Sequence, residues 1–331
     1  MRLTRREFTT LGLLAGAAAA GLGRPRHVLG FFQNEQGAIH QWRQVARDVH
    51  VALGNGGNAG LVVSSDEALL IDCKNPGFGA ALRREAEAVG SPLSRVVNTH
   101  HHADHTGGNP AFTPDVPVVS HDAARRRALS QGNSYASQLR AVVQRFADSD
   151  DDQLRRISEE AGAALEKLDI ESFAPTETLA RERRISVGRL TVELRHPGAA
   201  HTDNDIFVFI PERNTLHTGD LLFNGMHAFF DGAAGASTHG WEAAIDQMLE
   251  HCDSETVVIP GHGPITGADS LREQRRYLGE LRAHVEKLVA EGRTREEVAA
   301  TPLPGYDGYG LAQLHARTLG FVYDEVSGRR D

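Results

Sequence analysis

The order of the short apolar runs along this chain restricts its fold more than any other sequence feature. Between Val49 and Ile71 three such runs alternate with turn residues, which predicts a meander of β-strands. Further strands are expected at 95–98, 116–120, 185–187, 190–194, 206–210, 215–218 and 256–259, and helices at 78–89, 241–249 and about 270–290. Strands and helices in this order predict an α+β fold, a sandwich of two mixed β-sheets flanked by helices.

Composition and charge limit the function classes. The 331 residues are 40% hydrophobic, which is enough apolar material for a sizeable core. Acidic residues outnumber basic ones 44 to 35, and a net charge of −9 repels a phosphate backbone, so no nucleic-acid partner is expected. Cys73 and Cys252 are expected to be small buried apolar residues rather than metal ligands.

The first 23 residues differ from the rest of the chain. Arg5 and Arg6 precede an uncharged stretch of Leu, Ala and Gly from Leu11 to Gly23. This segment resembles a twin-arginine export signal, and the stretch is too short and too weakly hydrophobic for a permanent membrane anchor. The resemblance implies a periplasmic or secreted protein, with residues 24–47 as an N-terminal lead-in and residues 48–331 as the main domain.

Residues 122–172 are predicted to form a helical insertion in that domain. Apolar residues recur there at helical spacing, as in Leu139, Val142, Val143 and Phe146. The acidic run at 148–152 is expected to be a solvated turn between helices rather than a calcium site.

The densest chemical signal is the sequence THHHADH at 99–105, directly after a predicted buried strand. A strand end followed by a loop and a helix can direct His100 and His102 to one side, and Asp104 and His105 to another. Imidazole and carboxylate ligands suit zinc, with iron or manganese as alternatives. His101 lies between the ligand candidates and is expected to be structural.

Three further candidate ligands follow later strands. They are His201 before Thr202, Asp220 in the sequence TGD, and His262 in the sequence PGHG. Ligands at strand ends beside glycines indicate a site built on the edge of a sheet.

Together these motifs, between Val49 and Ile265, resemble the metallo-β-lactamase superfamily in type and order. The resemblance implies a four-layer αβ/βα sandwich with a dinuclear zinc site at one edge. It places His100, His102 and His201 on the first metal, Asp104, His105 and His262 on the second, and Asp220 between the two. It also implies that Asp72 supports the ligand loop.

The resemblance further implies a metal-dependent hydrolase acting on a small-molecule acyl substrate. Two ions roughly 3.5–4 Å apart lower the pKa of a shared water, and the resulting hydroxide attacks an ester, lactone, thioester or lactam. Asp104 is expected to orient this water or take its proton. An aspartate at 220 resembles glyoxalase II and lactonases more than the commonest β-lactamase subclass, which has cysteine there.

Several assignments stay open at this point. A glyoxalase II-like thioesterase and a non-catalytic periplasmic metal-binding protein are alternative functions. The sequence does not determine the oligomeric state. Candidate substrate contacts are His227, His239 and Asn224, while Phe229 and Phe230 are either core residues or an apolar wall of the pocket.

Overall fold

A computed structural model of the chain describes residues 38–329. The segment that resembles an export signal lies outside these residues. Within residues 38–329, no helix combines the length and the apolar character needed to cross a membrane.

Two mixed β-sheets form the centre of the fold. The first has seven strands in chain order: β1 (Gln41–Ala46), β2 (Val49–Leu53), β3 (Ala59–Val63), β4 (Ala68–Ile71), β5 (Leu93–Val97), β6 (Val118–His121) and β7 (Glu177–Leu179). Strands β1 to β4 pair antiparallel, and β4 to β7 pair parallel.

The second sheet has the order β12-β11-β10-β9-β8. Its strands are β8 (Glu182–Val187), β9 (Leu190–Arg195), β10 (Phe207–Ile210), β11 (Thr215–Phe223) and β12 (Val257–His262). β11 and β12 pair parallel, and the other neighbours pair antiparallel.

The helices lie on the outer faces of the two sheets and in the insertion, except for one short helix in the THHHADH loop. They are α1 (Gly79–Ala88), α2 (Ala103–Thr106), α3 (Asp122–Leu129), α4 (Gly132–Phe146), α5 (Asp152–Glu166), α6 (Thr238–Leu249), α7 (Ala268–Ala290), α8 (Arg295–Ala299) and α9 (His315–Val326).

Alternation of side chains along the strands produces three apolar layers. Leu61 points outward to a cluster that includes Leu82 of α1, whereas its neighbour Val62 points inward to the cluster shared by the two sheets. On the outer face of the second sheet, Leu216 belongs to a cluster that includes Trp241 of α6. Helix, sheet, sheet and helix thus form four layers, which confirms the predicted α+β sandwich.

The strand ends place the ligand motifs at one edge. In the parallel pair β11 and β12, Gly219 lies opposite Pro260 and Phe223 opposite His262. In the first sheet, β4 and β5 are also parallel, and Ile71 lies opposite Val97 just before the THHHADH loop. The residues at and after the ends of these strands, in both sheets, therefore lie next to the same group of ligand motifs.

Two parts of the chain differ from the sequence expectation. Residues 24–47 were expected to be a lead-in before the domain, but β1 lies within this range and pairs with β2, so the domain begins before residue 48. β7 was also not predicted, because a strand of three residues is too short to show an alternation of apolar and polar residues. The helices expected in 122–172 are present as α3, α4 and α5, and Asp151 of the acidic run accepts hydrogen bonds from the first backbone amides of α5.

Candidate metal centre

Asp72 fixes the loop that carries the THHHADH motif. It follows β4 with a φ of 65°, a left-handed conformation that directs its carboxylate into the loop. One oxygen accepts a hydrogen bond from the backbone amide of Thr99 at 2.7 Å, and the other from the Thr99 hydroxyl at 2.8 Å. The second oxygen also lies 2.8 Å from Nδ1 of His105. Asp72 thus contacts both ends of the loop and orients the imidazole of one predicted ligand.

Four of the predicted ligands converge on one point: His100, His102, His201 and Asp220 offer ligand atoms that all lie within 4.8 Å of one another. Nε2 of His201 lies 3.1 Å from Nδ1 of His102 and 3.6 Å from Oδ2 of Asp220. Nε2 of His100 lies 3.7 Å from the same Asp220 oxygen. The geometry forms a group of three imidazoles and one carboxylate oxygen.

The remaining three predicted ligands, Asp104, His105 and His262, form a second group beside the first. Nε2 of His262 lies 3.1 Å from Oδ2 of Asp104. The other Asp220 oxygen, Oδ1, lies 3.1 Å from Nε2 of His105 and 3.4 Å from Nε2 of His262. Asp220 therefore directs one oxygen to each group, which is the arrangement expected of a bridging ligand.

Unsatisfied polar atoms show that these residues fit a pair of cations. Nε2 of His100, Nε2 of His105 and Oδ1 of Asp220 are buried without a hydrogen-bond partner among residues 38–329. Buried polar atoms normally have a partner, so three such atoms around one point are unusual. Metal ions coordinated by these lone pairs would satisfy all three.

The electrostatics agree with this fit. Burial lowers the pKa of His201 to about 3, which keeps its imidazole in the neutral form that binds metals. Burial also opposes protonation of His262, but Asp220 and Asp104 outweigh it and raise its pKa to about 10. The second group thus has enough negative charge to stabilise a cation.

The seven side chains divide into an inner face and an open face. The inner face comprises His100, His105, His201 and Asp220, whose side chains are 0–3% exposed. The open face comprises His102, Asp104 and His262, which are 17%, 30% and 23% exposed. A substrate would therefore approach across the open face.

Asp231 is a site residue that the sequence analysis missed. Its Oδ2 lies 3.0 Å from Nε2 of His102 and 3.5 Å from Nε2 of His101. When Nε2 of His102 donates to this carboxylate, the other ring nitrogen, Nδ1, is free to face the centre. His101 also contacts the Asn204 side chain through its amide and ring, and with His102 and Asp231 it forms a third group of potential metal ligands, apart from the two groups that Asp220 joins.

The candidate substrate contacts lie in three different settings. His227 is buried, with Nδ1 3.2 Å from the Tyr277 hydroxyl and its ring packed on His315, so it belongs to an aromatic cluster rather than the pocket mouth. His239 is exposed on α6. Asn224 is next to the ligands: its backbone amide donates to the carbonyl of His262 at 2.9 Å, which fixes the turn there.

Phe229 and Phe230 lie in different environments. Phe230 is buried and stacks on Phe321, which makes it a core residue. The Phe229 ring lies 5.7 Å from the ring of His102 and 5.8 Å from that of His201, measured between centroids. Its carbonyl oxygen is 2.7 Å from Nδ1 of His201. Phe229 is thus an apolar wall beside the first ligand group. Both cysteines are free thiols outside the ligand groups, but only Cys73 is buried as expected, and Cys252 is partly exposed.

Known proteins share both the sequence pattern and the fold. The sequence model of the metallo-β-lactamase superfamily matches residues 53–276. A metallo-β-lactamase type 2 of Bacillus cereus is 23% identical over 52% of this chain and 53% of its own length. A hydroxyacylglutathione hydrolase of Rhodospirillum rubrum is 24% identical over 70% of this chain and 77% of its own. The solved metallo-β-lactamase of Pontibacter korlensis has 20% identity and a TM-score of 0.55, covering 72% of this chain and 99% of that one.

These comparisons cover different shares of the proteins and support different conclusions. The chain spans about half the length of the Bacillus cereus enzyme, and the likeness to the solved structure concerns the fold. The family match covers more than half of the chain and includes all seven convergent side chains. The chain belongs to the metallo-β-lactamase superfamily.

Proposed function

We propose that the protein is a dinuclear zinc-dependent hydrolase that cleaves an ester, lactone, thioester or lactam bond in a small molecule. The observation that carries this proposal is the convergence of seven side chains in two adjacent groups that share Asp220. Zinc is the metal that this set of imidazoles and carboxylates suits best, and iron or manganese could occupy the same ligands. Relatives named as hydrolases support the reaction class.

We assign the ligands as the geometry groups them. His100, His102 and His201 would hold one ion, and Asp104, His105 and His262 the other, with Asp220 bridging. When bound, two divalent ions lower the pKa of water and polarise a carbonyl group. Asp72 and Asp231 keep the imidazoles of His105 and His102 oriented toward the centre.

Asp104 has the position of a proton-handling residue. Its carboxylate is the most exposed of the seven side chains, and its Oδ2 lies 3.1 Å from Nε2 of His262. On the open face it can accept a hydrogen bond from a water that enters with the substrate and can take up its proton. The Phe229 ring, 5.7 Å from that of His102, gives the open face an apolar border.

Thioester hydrolysis is the second candidate reaction. Relatives named hydroxyacylglutathione hydrolase match this chain, and the Rhodospirillum rubrum protein does so over 77% of its length.

We propose in addition that residues 1–23 export the protein to the periplasm or medium. Replacing Arg5 and Arg6 with lysine should then retain the protein in the cytoplasm, as measured by cell fractionation.

The test of the proposed function combines metal content with a substrate panel. Purified protein loaded with zinc should contain two ions per chain and should hydrolyse at least one member of a panel comprising a chromogenic cephalosporin, a lactone, a 4-nitrophenyl ester and a thioester. Removal of the metal with EDTA should abolish this activity, and zinc should restore it. Two bound zinc ions without turnover on any substrate class would instead identify a metal-binding accessory protein.

A further inference from the structure

The third group of potential ligands, His101, His102 and Asp231, has the spacing of a metal site. Its ligand atoms all lie within 4.8 Å of one another. Oδ2 of Asp231 is 3.0 Å from Nε2 of His102 and 3.5 Å from Nε2 of His101. Ligand atoms around a tetrahedral zinc ion, with bonds of about 2.0–2.1 Å, are roughly 3.3–3.4 Å apart. Both measured distances are thus close to the spacing that one ion requires.

The imidazole of His101 is held with Nε2 toward Asp231. The side-chain oxygen of Asn204 accepts a hydrogen bond from the backbone amide of His101 at 3.0 Å, and Nδ1 of the ring lies 3.3 Å from the same oxygen. A histidine that binds a metal through one nitrogen almost always donates from the other nitrogen to such an oxygen. In the tautomer that donates from Nδ1, the lone pair of Nε2 is available to a cation beside Asp231.

The carboxylate of Asp231 is fixed as well. Its other oxygen, Oδ1, accepts a hydrogen bond from the backbone amide of Ala234 at 3.1 Å. Within residues 38–329, no lysine or arginine lies within ion-pair distance of Asp231, and Arg127 donates to both oxygens of Asp203 instead. Oδ2 of Asp231 therefore has only imidazoles as partners for its charge.

An ion can reach this group from solvent. The side chains of His102 and Asp231 are 17% and 18% exposed, whereas that of His101 is 5% exposed. The group thus has a buried side formed by His101 and an open side formed by the other two residues. An ion with three protein ligands can keep a water molecule as its fourth ligand on the open side.

His102 belongs to both the first group and the third group. Its Nδ1 lies 3.1 Å from Nε2 of His201 in the first group, and its Nε2 faces Asp231. One imidazole ring can therefore contact an ion on each side. An ion in the third group replaces the proton that Nε2 of His102 otherwise donates to Asp231, and this proton is released to solvent.

We propose that His101, His102 and Asp231 form a third metal site, which binds a divalent transition-metal ion such as zinc when the metal is in excess over the first two sites. Imidazole and carboxylate ligands suit such an ion. The inference goes beyond the proposed function, since it concerns an ion that the hydrolysis does not need. The third site binds more weakly than the other two, because it has one ligand fewer and shares His102 with the first ion. When it is filled, His102 bridges two ions, so excess zinc changes how the first ion is held.

The experiment counts zinc ions per chain. Metal-free protein is titrated with zinc against a chromogenic chelator, and calorimetry follows the weaker binding. Wild type should bind two ions tightly and a third ion more weakly. His101→Gln should lose the third ion and keep the first two, because glutamine can still hydrogen-bond to Asn204 but has no imidazole.

His239→Gln is the matched control. His239 is an exposed histidine on α6 outside all three ligand groups, so it represents adventitious zinc binding to a surface imidazole. This variant should keep the third ion. Loss of the third ion in His239→Gln, its retention in His101→Gln, or its absence from wild type would overturn the inference while leaving the hydrolase proposal intact.

A crystal structure decides the inference if His101→Gln also weakens the first two sites. Wild-type crystals soaked in excess zinc should show an anomalous difference peak about 2.0–2.2 Å from Nε2 of His101 and from Oδ2 of Asp231. Peaks at the first two groups alone would overturn the third site. A peak at the third group without the other two would support the third site and contradict the proposed dinuclear centre.

Discussion

The inner and open faces of the metal centre contain the same residue types in opposite environments. The inner face, with Asp220 at 3% exposure, has no access to solvent, and the open face has Asp104 at 30%. A buried carboxylate surrounded by imidazoles is suited to hold cations, because a buried charge without a partner is costly. A half-exposed carboxylate can also meet a substrate and exchange protons. Under the proposed function, cation binding and reactivity would be divided between two aspartates of one site.

Asp220 should give the largest effect, because it contacts both ligand groups. Asp220→Asn is expected to lose at least one of two zinc ions. Its kcat/KM should fall by more than about a hundredfold, because mutation of a residue that only supports a metal ligand already costs up to about a hundredfold. Metal analysis by mass spectrometry and steady-state kinetics would measure this. Retention of both ions with near-normal activity would show that Asp220 is not a bridging ligand.

Asp104 tests the open face. Asp104→Ala should remain folded by circular dichroism and lose hydrolysis by roughly 10²–10⁴-fold, the range for removing a general acid or base. Asp115→Ala is a suitable control, because Asp115 is 74% exposed and makes one 3.9 Å contact with Arg83. Retained turnover in Asp104→Ala would remove the distinction between the two faces.

Asp231 provides a further test of the comparison between the two faces, because it contacts His102 of the open face and belongs to neither face itself. Asp231→Asn keeps the size of the side chain but loses the charge that favours the donating Nε2 of His102. Zinc affinity, measured by competition with a chromogenic chelator, should fall about tenfold with the fold intact. An unchanged affinity would mean that His102 is oriented by its other neighbours.

The last prediction concerns stability near the inner face rather than activity. Burial lowers the pKa of Lys74 to about 7, whereas the unfolded value is about 10.4. Between these values only the unfolded chain holds the proton, so this residue makes the folded state more stable as pH rises. From pH 7 to 9 the wild type should gain about 2 kcal/mol of unfolding free energy relative to Lys74→Met, measured by urea denaturation. Parallel pH profiles for the two proteins would contradict this assignment.

The sequence was informative where chemistry and backbone pattern coincide. The apolar runs correctly predict that His100 follows a strand and that His262 lies at a strand end, whereas β11 continues past the predicted end at 218 and therefore contains Asp220. Asp231 has no such signal, because it follows an irregular segment and its partner His102 is 129 positions earlier. The packing of α9 against the segment around Ala228 depends on long-range contacts, such as that of the Thr318 hydroxyl, which no local pattern encodes.

The position of His227 illustrates the same limit. A histidine close in sequence to the ligands is a reasonable candidate for the pocket, but its side chain turns toward Tyr277 and His315. The direction was decided by the aromatic residues of α7 and of the C-terminal segment, which pack there. Side-chain direction in an irregular segment follows from tertiary packing, which sequence period cannot supply.

The helical insertion is joined to the ligand loop at several points. The Tyr135 hydroxyl lies 3.0 Å from that of Thr106, and the Gln131 side chain donates to the carbonyl of His101 at 3.2 Å. Arg127 reaches Asp203, next to the Asn204 that holds His101. A shorter relative without α3 to α5 would need other residues to keep this loop in place, so insertion and metal loop should change together during divergence rather than independently.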